Sequence, residues 1–138
     1  MAIYNTVNVF VLDVLTAKHA FGVDQLALFI TNAAPVDPGN ITDLVEATGV
    51  AANIADTNIE TISVSQTGGI GSLSLNNKTM TATGPVGPFR YVYIYNTVNG
   101  NLIMYYDYGS AQNLILDQNF IVDLDDASNR LFIFPSPS

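Results

Sequence analysis

The sequence contains no cysteine and no tryptophan, and it has only four cationic residues and one histidine. The missing cysteines exclude disulfides and thiolate chemistry, and a zinc site would need cysteine or several histidines. Twelve acidic residues outweigh the cations, so the formal net charge is −8. Nucleic-acid binding requires clustered cations to displace the counterions of phosphates. We therefore expect no nucleic-acid partner, and an anionic membrane surface would repel the chain.

Long apolar runs are also missing. No stretch approaches the roughly 20 apolar residues of a membrane-spanning helix. Residues 1–20 lack the basic first segment of a signal peptide, and Asp13 interrupts their apolar stretch. We therefore expect a protein without membrane association that is made in the cytoplasm.

Charge of either sign is scarce. Charged residues make up 12% of the 138 residues and hydrophobic residues 49%, whereas an ordinary soluble domain carries about 25% charge. The length predicts a single domain, residues 1–138, that is large enough for a core without disulfides. Much of its exterior must be uncharged, and coverage by another protein chain would explain that.

The apolar pattern predicts one helix followed by short strands. Apolar residues at helical spacing favour a helix at 6–18, although Val7, Val9 and Val11 also alternate as in a strand. One or two helical turns are predicted at 41–48, a loop at 49–57 and a frayed tail at 135–138. Strands are predicted at 24–32, 58–66, 72–83, in both arms of a hairpin within 90–110, and at 119–125 and 130–134 as a final pair.

These elements predict a mainly β fold. About seven short strands with turns every 8–12 residues are typical of an antiparallel β-sandwich. The sandwich would occupy about 24–134, with the N-terminal helix on a face or an end. The sequence "TGGIG" at 67–71 predicts a turn between strands, because it lacks the lysine of a phosphate loop and precedes no helix.

Residues 90–110 hold six of the seven tyrosines. If Asn99-Gly100 forms a two-residue turn, Tyr93 faces Tyr106 and Tyr91 faces Tyr108. The alternation of a strand then predicts one face composed of six residues, Tyr91, Tyr93, Tyr95, Met104, Tyr106 and Tyr108. Both faces of the hairpin are largely apolar, so either the strands are central or a neighbour covers the second face.

Two interpretations of these tyrosines remain open. Aromatic residues are commonly buried, so the rings would line the core with their hydroxyls at its rim. Tyrosine is also enriched at interfaces, because it is large, fairly rigid and able to form a hydrogen bond at its tip. In the second interpretation the six residues contact a partner protein.

No catalytic, cofactor or metal site is predicted. His19, the single histidine, would have to serve any Ser-His-Asp arrangement, but its place near the end of a helix favours a surface position or a contact with the helix dipole. Asp123, Asp125, Asp126 and Asn129 form an acidic cluster. The glycine and the final glutamate of a calcium loop are missing there, so an Asp/Asn-rich turn is favoured over calcium. We therefore expect that the protein is not an enzyme.

Several motifs resemble those of a family of small virion proteins of tailed bacteriophages. The front half is similar to the family in "MAIYNTVNVFVLDVL", "DQLALFITNAAPV" and "ITDLVEATG". The second half is similar in Gly87-Pro88-Phe89-Arg90-Tyr91, Tyr95-Asn96, Asp107-Tyr108-Gly109-Ser110 and Phe120-Ile121-Val122-Asp123-Leu124-Asp125. The resemblance covers nearly the whole chain.

This resemblance implies a structural protein of the virion, made in a bacterial host. The favoured role is a capsid decoration, or cement, protein on the outer surface of the head. Its partner would be the major capsid protein, and a homotrimer is the expected assembly. The alternatives are a neck, tail or baseplate component and, in a different class, a module that binds host glycans.

Overall fold

The computed structural model describes residues 4–20, 23–67, 70–124 and 132–134. The chain is mainly β with antiparallel sheets, as predicted, although its described residues form ten strands rather than about seven. In chain order the strands are β1 (Tyr4–Thr6), β2 (Leu26–Thr31), β3 (Asn58–Ile59), β4 (Thr61–Thr67), β5 (Ile70–Leu75), β6 (Lys78–Thr81), β7 (Val86–Asn96), β8 (Leu102–Leu114), β9 (Asn119–Val122) and β10 (Phe132–Phe134). The helices are α1 (Phe10–Leu15), α2 (Val50–Asn53) and one 3₁₀ turn at Ile41–Asp43.

The largest sheet has five strands in the order β1-β8-β7-β2-β3. The two long strands of the tyrosine hairpin, β7 and β8, are therefore central, which was one of the two explanations predicted for their apolar faces. β2 pairs with β7 so that Phe29 lies opposite Tyr93 and Leu28 opposite Ile94. On its other side β8 pairs with β1, which places Asn5 opposite Tyr105.

Two smaller sheets accompany the first. One has the order β10-β5-β4 and the other pairs β6 with β9. The prediction that 119–125 and 130–134 pair with each other is wrong, because β9 pairs with β6 and β10 pairs with β5. β4 and β5 are antiparallel neighbours, as expected of strands joined by a turn, but Gly68 and Gly69 of that turn lie outside the described residues.

Each of the two strands predicted at 58–66 and 72–83 is divided in two. Asn58–Ile59 pairs with β2 in the first sheet, whereas Thr61–Thr67 belongs to the second sheet. Asn76 and Asn77 separate β5 from β6. The Asn77 side chain accepts a hydrogen bond from the Leu124 N–H at 2.8 Å, which ties this break to the end of β9. Each of these two predicted strands therefore contributes residues to two different sheets.

The N-terminal helix is much shorter than the predicted 6–18. It spans Phe10–Leu15, and the residues before it form β1. The Val7 N–H donates to the Ile103 carbonyl at 3.0 Å, so the chain follows the edge of β8 before the helix begins. Val7 and Phe10 are buried, whereas Leu15, the last residue of the predicted apolar stripe, is 73% exposed. Pairing with β8 therefore overrides helix formation over the first third of the predicted range.

The segment between β2 and β3 contains more local structure than predicted. The helical turn predicted at 41–48 is confirmed only as the 3₁₀ turn Ile41–Asp43, which is held by a capping box of Asn40 and Asp43. The predicted loop at 49–57 contains α2, which begins after Gly49. Gly49 has φ +86°, and a Cβ there would meet the Pro85 carbonyl oxygen at 2.1 Å, so only glycine fits.

Buried apolar side chains from all three sheets form one cluster. β2 contributes Leu26, Leu28 and Ile30, the three residues predicted to share a face. The smaller sheets contribute residues such as Leu73, Met80 and Val122. One face of the large sheet lies against these side chains, and the other face carries Tyr93, itself buried, with partly buried aromatic residues around it.

Candidate interaction surface

The tyrosine hairpin pairs one residue out of the predicted register. Tyr93 lies opposite Tyr105 and Tyr91 opposite Asp107, rather than opposite Tyr106 and Tyr108. The turn is the reason. The Asn96 N–H donates to the Asn101 carbonyl at 3.0 Å, and the Gly100 N–H to the Asn96 carbonyl at 2.7 Å. Residues 97–100 therefore form a four-residue loop instead of the predicted two-residue turn.

Asparagine side chains hold this loop. The Asn96 carboxamide oxygen accepts the Val98 N–H at 2.9 Å, and that of Asn99 accepts the Asn101 N–H at 3.0 Å. From outside the hairpin, the Asn40 Nδ2 donates to the Asn99 carbonyl at 3.0 Å. These bonds satisfy backbone groups that a tighter turn would have paired within the hairpin.

A shift of one residue divides the predicted interface between the two faces of the sheet. Tyr91, Tyr93 and Tyr95 do share a face, but the tyrosine that joins them from β8 is Tyr105, which lies opposite Tyr93. Met104 lies opposite Ile94 and Tyr106 opposite Val92, on the face that lies against the core. The prediction of one six-residue face is therefore wrong.

We call the outer aromatic surface the tyrosine face; it comprises Phe29, Tyr91, Tyr93, Tyr95 and Tyr105. The Tyr93 and Tyr105 rings stack with centroids 5.0 Å apart. Tyr91 contacts Tyr105 edge to face at 6.3 Å, and Phe29 contacts Tyr95 in the same way at the same distance. Such ring pairs add to the stability that burial alone provides. The tyrosine face is thus a packed layer on three adjacent strands rather than a set of separate rings.

Exposure differs within the tyrosine face. Tyr93 at its centre is only 1% exposed, whereas the four rings around it are partly exposed. Burial, with smaller contributions from Tyr105, Tyr91 and Asp107, raises the pKa of Tyr93 to about 12. Burial also raises the pKa of Tyr95, and the nearby Glu46 carboxylate raises it further. These two phenols are therefore neutral at physiological pH.

An ion pair borders the tyrosine face. Arg90 Nε donates to Asp107 Oδ1 at 2.7 Å and Nη2 to Oδ2 at 3.1 Å, which is the bidentate geometry of strong charge-assisted bonds. The guanidinium also lies 5.2 Å from the centroid of the Tyr91 ring. The hydrogen bond from Arg90, followed by that from the Gly109 N–H, lowers the pKa of Asp107. The border therefore has both charges but little net charge.

The other half of the predicted interface belongs to the interior. Met104 is fully buried and Tyr106 is 3% exposed, and the Tyr106 hydroxyl donates to the Asp123 carbonyl at 2.9 Å. The Tyr108 ring contacts Phe120 at 5.2 Å, and burial, then the Asp123 charge, raises the Tyr108 pKa to about 12. These three side chains join β8 to the core and to β9, and they do not form part of the tyrosine face.

His19 does not occupy the surface position that its sequence context predicts. Its side chain is fully buried and its ring lies 5.7 Å from that of Phe10. We call His19, Asp13, Asp24 and Asn96 the His19 cluster. Nε2 of the imidazole lies 3.9 Å from Asp13 Oδ2, and Nδ1 lies 3.2 Å from Asn96 Nδ2. The polar groups placed near the ring in these contacts are two carboxylates and one amide.

An open polar groove lies beside this cluster. It has a volume of about 830 Å³ and extends from the start of β2 to β6. Its polar lining includes three carboxylates, of Asp24, Asp56 and Glu60, and one cation, Lys78. Lys78 Nζ donates to Asp56 Oδ2 at 3.1 Å, so the ammonium is already paired. None of the residues that line the groove is a tyrosine.

The acidic cluster considered for calcium is only partly described. Asp123 lies at the end of β9, whereas Asp125, Asp126 and Asn129 lie outside the described residues. Within the described part of the chain, no three histidine, aspartate or glutamate side chains are placed to hold a metal ion. None of its helices is long and apolar enough to cross a bilayer.

Sequence reasoning missed two members of the tyrosine face and the His19 cluster. Phe29 falls between Leu28 and Ile30, so its place on the face opposite those residues follows from strand alternation alone. Tyr105 could be assigned only with the correct loop. The members of the His19 cluster are up to 83 positions apart, from Asp13 to Asn96, and no local pattern connects them.

The sequence and the structure were compared with known proteins. The chain matches no protein family model, and neither a curated protein nor a solved structure matches it significantly.

Proposed function

We propose that this protein is a structural protein of a bacteriophage virion and, within that class, a capsid decoration protein. The observation that carries the proposal is the tyrosine face. Partly exposed aromatic rings lie on central strands that are held on both sides, so the surface is rigid before it meets a partner. Binding then requires little ordering of side chains, which is a large part of the cost of association.

The charge distribution supports a contact role. Interface centres are depleted of charge and enriched in tyrosine, and the tyrosine face has both properties with an ion pair at its border. Tyr93 and Tyr95 keep their protons at physiological pH because their pKa values are raised. The hydroxyl of Tyr95, whose side chain is partly exposed, can therefore donate a hydrogen bond to a partner.

The proposed mechanism is passive. The tyrosine face would bind the major capsid protein on the outside of the head. Burial of apolar surface at about 25 cal/mol per Å² would then oppose separation of neighbouring capsid subunits. A standard interface buries about 800 Å² on each partner, so surrounding residues would complete the contact. We further propose that the sheets pack as a β-sandwich, which the single buried cluster supports, and that the protein assembles as a trimer.

The first test is the copy number of the protein in purified virions, measured by quantitative peptide mass spectrometry against the major capsid protein. Hundreds of copies per particle are expected for a protein that repeats over a capsid lattice. A few to a few tens of copies would instead indicate a neck, tail or baseplate component. Absence from the particle would overturn the virion role.

A second test examines the tyrosine face itself. We expect the double variant Tyr91→Ser/Tyr95→Ser to bind protein-free capsids at least roughly tenfold more weakly, because central interface tyrosines each contribute more than about 1 kcal/mol. The matched control is Ile115→Ser/Leu116→Ser, which removes two side chains that are 68% and 61% exposed between β8 and β9. Equal binding of both variants, with both folded by circular dichroism, would contradict the assigned surface.

The polar groove favours one further candidate, a host-glycan-binding module. Amide and hydroxyl groups of Asn58, Asn76, Thr61 and Thr79 line it beside the carboxylates, a mixture that suits the hydroxyls of a sugar. This candidate predicts shifts of those asparagine amide signals in NMR spectra when maltooligosaccharides or chitosan oligosaccharides are added. Shifts in the groove with no capsid binding would favour the glycan role over decoration.

A further inference from the structure

The His19 cluster fastens the segment before β2 to the loop of the tyrosine hairpin. Asn99 Nδ2 donates to the Lys18 carbonyl at 2.6 Å, and Asn96 Nδ2 lies 3.4 Å from the same oxygen. Asn96 Nδ2 also donates to Asp24 Oδ2 at 2.7 Å. Thr97 of the loop also bonds Gln25, since its N–H and its hydroxyl donate to the Gln25 carbonyl at 3.0 and 2.8 Å. The contacts of Lys18, His19 and Asp24 with the hairpin, by contrast, are made by the neutral amides of Asn96 and Asn99.

The surroundings of Asn96 determine the orientation of its amide. Its oxygen accepts the Val98 N–H at 2.9 Å, and its nitrogen faces the Asp24 carboxylate, which can only accept. Reversing the amide would break the hydrogen bond from the Val98 N–H. It would also place the Asn96 oxygen, an acceptor, against the Asp24 carboxylate, which is an acceptor too. The nitrogen of Asn96 therefore points toward Asp24 and toward His19.

This orientation determines the tautomer of His19. Nδ1 lies 3.2 Å from an amide nitrogen that can only donate, so Nδ1 must be the unprotonated, accepting nitrogen. The proton of the neutral imidazole is then on Nε2, which lies 3.9 Å from Asp13 Oδ2. A second proton would enter at Nδ1, where it would face the hydrogens of Asn96.

Two charges act on the imidazole from the elements packed against it. Asp13 of α1 and Asp24 before β2 both favour the charged ring, and the hairpin presents the neutral amide of Asn96 to it. The Lys18 side chain is exposed. Burial disfavours the charged imidazole more strongly than the two carboxylates favour it, so the pKa of His19 is lowered from its ordinary value of 6.5.

We propose that His19 is a pH-sensitive latch, in which the neutral imidazole accepts from Asn96 and keeps Lys18, His19 and Asp24 on the hairpin, and protonation at Nδ1 releases these residues. The proton comes from solvent and the ring becomes an imidazolium, which water solvates once the segment has moved away. The latch does not depend on a virion role, because it rests only on contacts within the chain.

The direction of the pH effect follows from linkage. The released segment has an ordinary histidine, whereas the latched one has a lowered pKa, so the released state binds a proton first as pH falls. Stability of the latch is complete above pH 6.5 and is lost as pH falls from there through the pKa of the latched state. Below that second pKa no further loss is expected.

The test is NMR on the full chain, which has a single histidine and hence one set of imidazole signals. At neutral pH we expect nitrogen shifts of the Nε2–H tautomer, and on acidification a titration midpoint below 6.5. Amide hydrogen exchange, corrected for its intrinsic pH dependence, should lose protection at Lys18 and Asp24, while Ile94 in the central strand stays protected. The Lys18 and Asp24 amides donate within the segment, to the Asp13 and Ala20 carbonyls at 2.8 and 2.7 Å, so they lose protection when release also opens these bonds.

Two variants test whether His19 is the group that responds to pH. His19→Gln retains a side-chain acceptor but does not titrate, so protection at Lys18 and Asp24 should no longer fall with pH. Asn96→Asp replaces the donor with an acceptor and should raise the midpoint of His19 above 6.5. An Nδ1–H tautomer, a wild-type midpoint at or above 6.5, or the same acid-dependent exchange in His19→Gln would each overturn the latch.

Discussion

The two faces of the tyrosine hairpin are built from the same residue type and have different roles. On the outer face, Tyr91 and Tyr105 contact each other edge to face and remain partly exposed. On the inner face, Tyr106 is 3% exposed and its hydroxyl donates to a backbone carbonyl of the strand that packs over it. Composition is therefore a poor guide to role here; what lies opposite each ring decides it.

The comparison also explains how one hairpin can serve both interpretations of its tyrosines. Inner rings complete the core, because β9 and the residues after it cover them. Outer rings contact one another and Phe29, and four of them stay partly exposed around the buried Tyr93. A protein that must be stable alone and still present an aromatic surface can use a central hairpin in this way.

The largest expected effect separates the two faces by truncation. Tyr106→Ala should lower the free energy of unfolding by about 3–5 kcal/mol, because it leaves a cavity in the core. Tyr91→Ala, on the outer face, should cost less than about 1.5 kcal/mol, since its ring is already partly solvated. Urea unfolding followed by circular dichroism measures both, and equal losses would show that the two faces are equivalent in the isolated protein.

A second measurement titrates one phenol on each face. Tyr93 on the outer face and Tyr108 on the inner face both have pKa values raised to about 12. Since an unfolded tyrosine has a pKa of about 10, the unfolded state loses its proton first, and stability falls as pH rises from 10 toward 12. Near-ultraviolet absorbance should show one late-ionising phenol fewer in each of Tyr93→Phe and Tyr108→Phe than in the wild type. An unchanged number in either variant would contradict the assignment.

A smaller change removes only a hydroxyl. Tyr106→Phe should destabilise the protein by about 1 kcal/mol, because the carbonyl of Asp123 loses a hydrogen-bond donor. Tyr105→Phe, whose ring is partly exposed, should fall within about 0.5 kcal/mol of the wild type. A reversed order of these two variants in urea unfolding would place the tighter environment on the outer face.

The smallest expected effect concerns the ion pair that borders the tyrosine face. Asp107→Asn removes the charge but keeps the shape, and the side chains of Arg90 and Asp107 are 40% and 33% exposed, so water and salt screen the loss. The folded-state pKa of Asp107 is lowered, so its contribution is present above the ordinary value of 3.8 and is lost as pH falls below it. The difference in unfolding free energy between variant and wild type should therefore vanish in acid. A difference that persists in acid would show that the substitution acts through packing and not through charge.

Strand alternation and turn residues predicted the mainly β character and the antiparallel pairing within the hairpins, and they left the central position of β7 and β8 as one of two alternatives. They did not predict the register of the hairpin, because Asn99-Gly100 favours a two-residue turn locally while Asn40, far away in the chain, binds the loop that forms. Because side chains alternate along a strand, that one local error exchanged the faces of Tyr105, Tyr106 and Tyr108.

The pairing of the strands with one another was the second feature that could not be predicted from the sequence. The runs at 119–125 and 130–134 were predicted as neighbours, yet β9 pairs with β6 and β10 with β5. Apolar strands of similar length have interchangeable local patterns, and only the shared core distinguishes their partners. The burial of His19 has the same origin, since Asn96 and Asp24 reach it from other elements.

Because β1 pairs with β8, the large sheet can be completed only after β8 has been synthesised. Thr6 lies opposite Met104, so the first strand leaves the ribosome long before its neighbour exists. The large sheet cannot close in the order in which the chain is made, and most of its contacts join distant positions. Chains whose contacts join mostly distant positions fold slowly. Until β8 emerges, the apolar residues near the N-terminus remain exposed to chaperones and to other nascent chains.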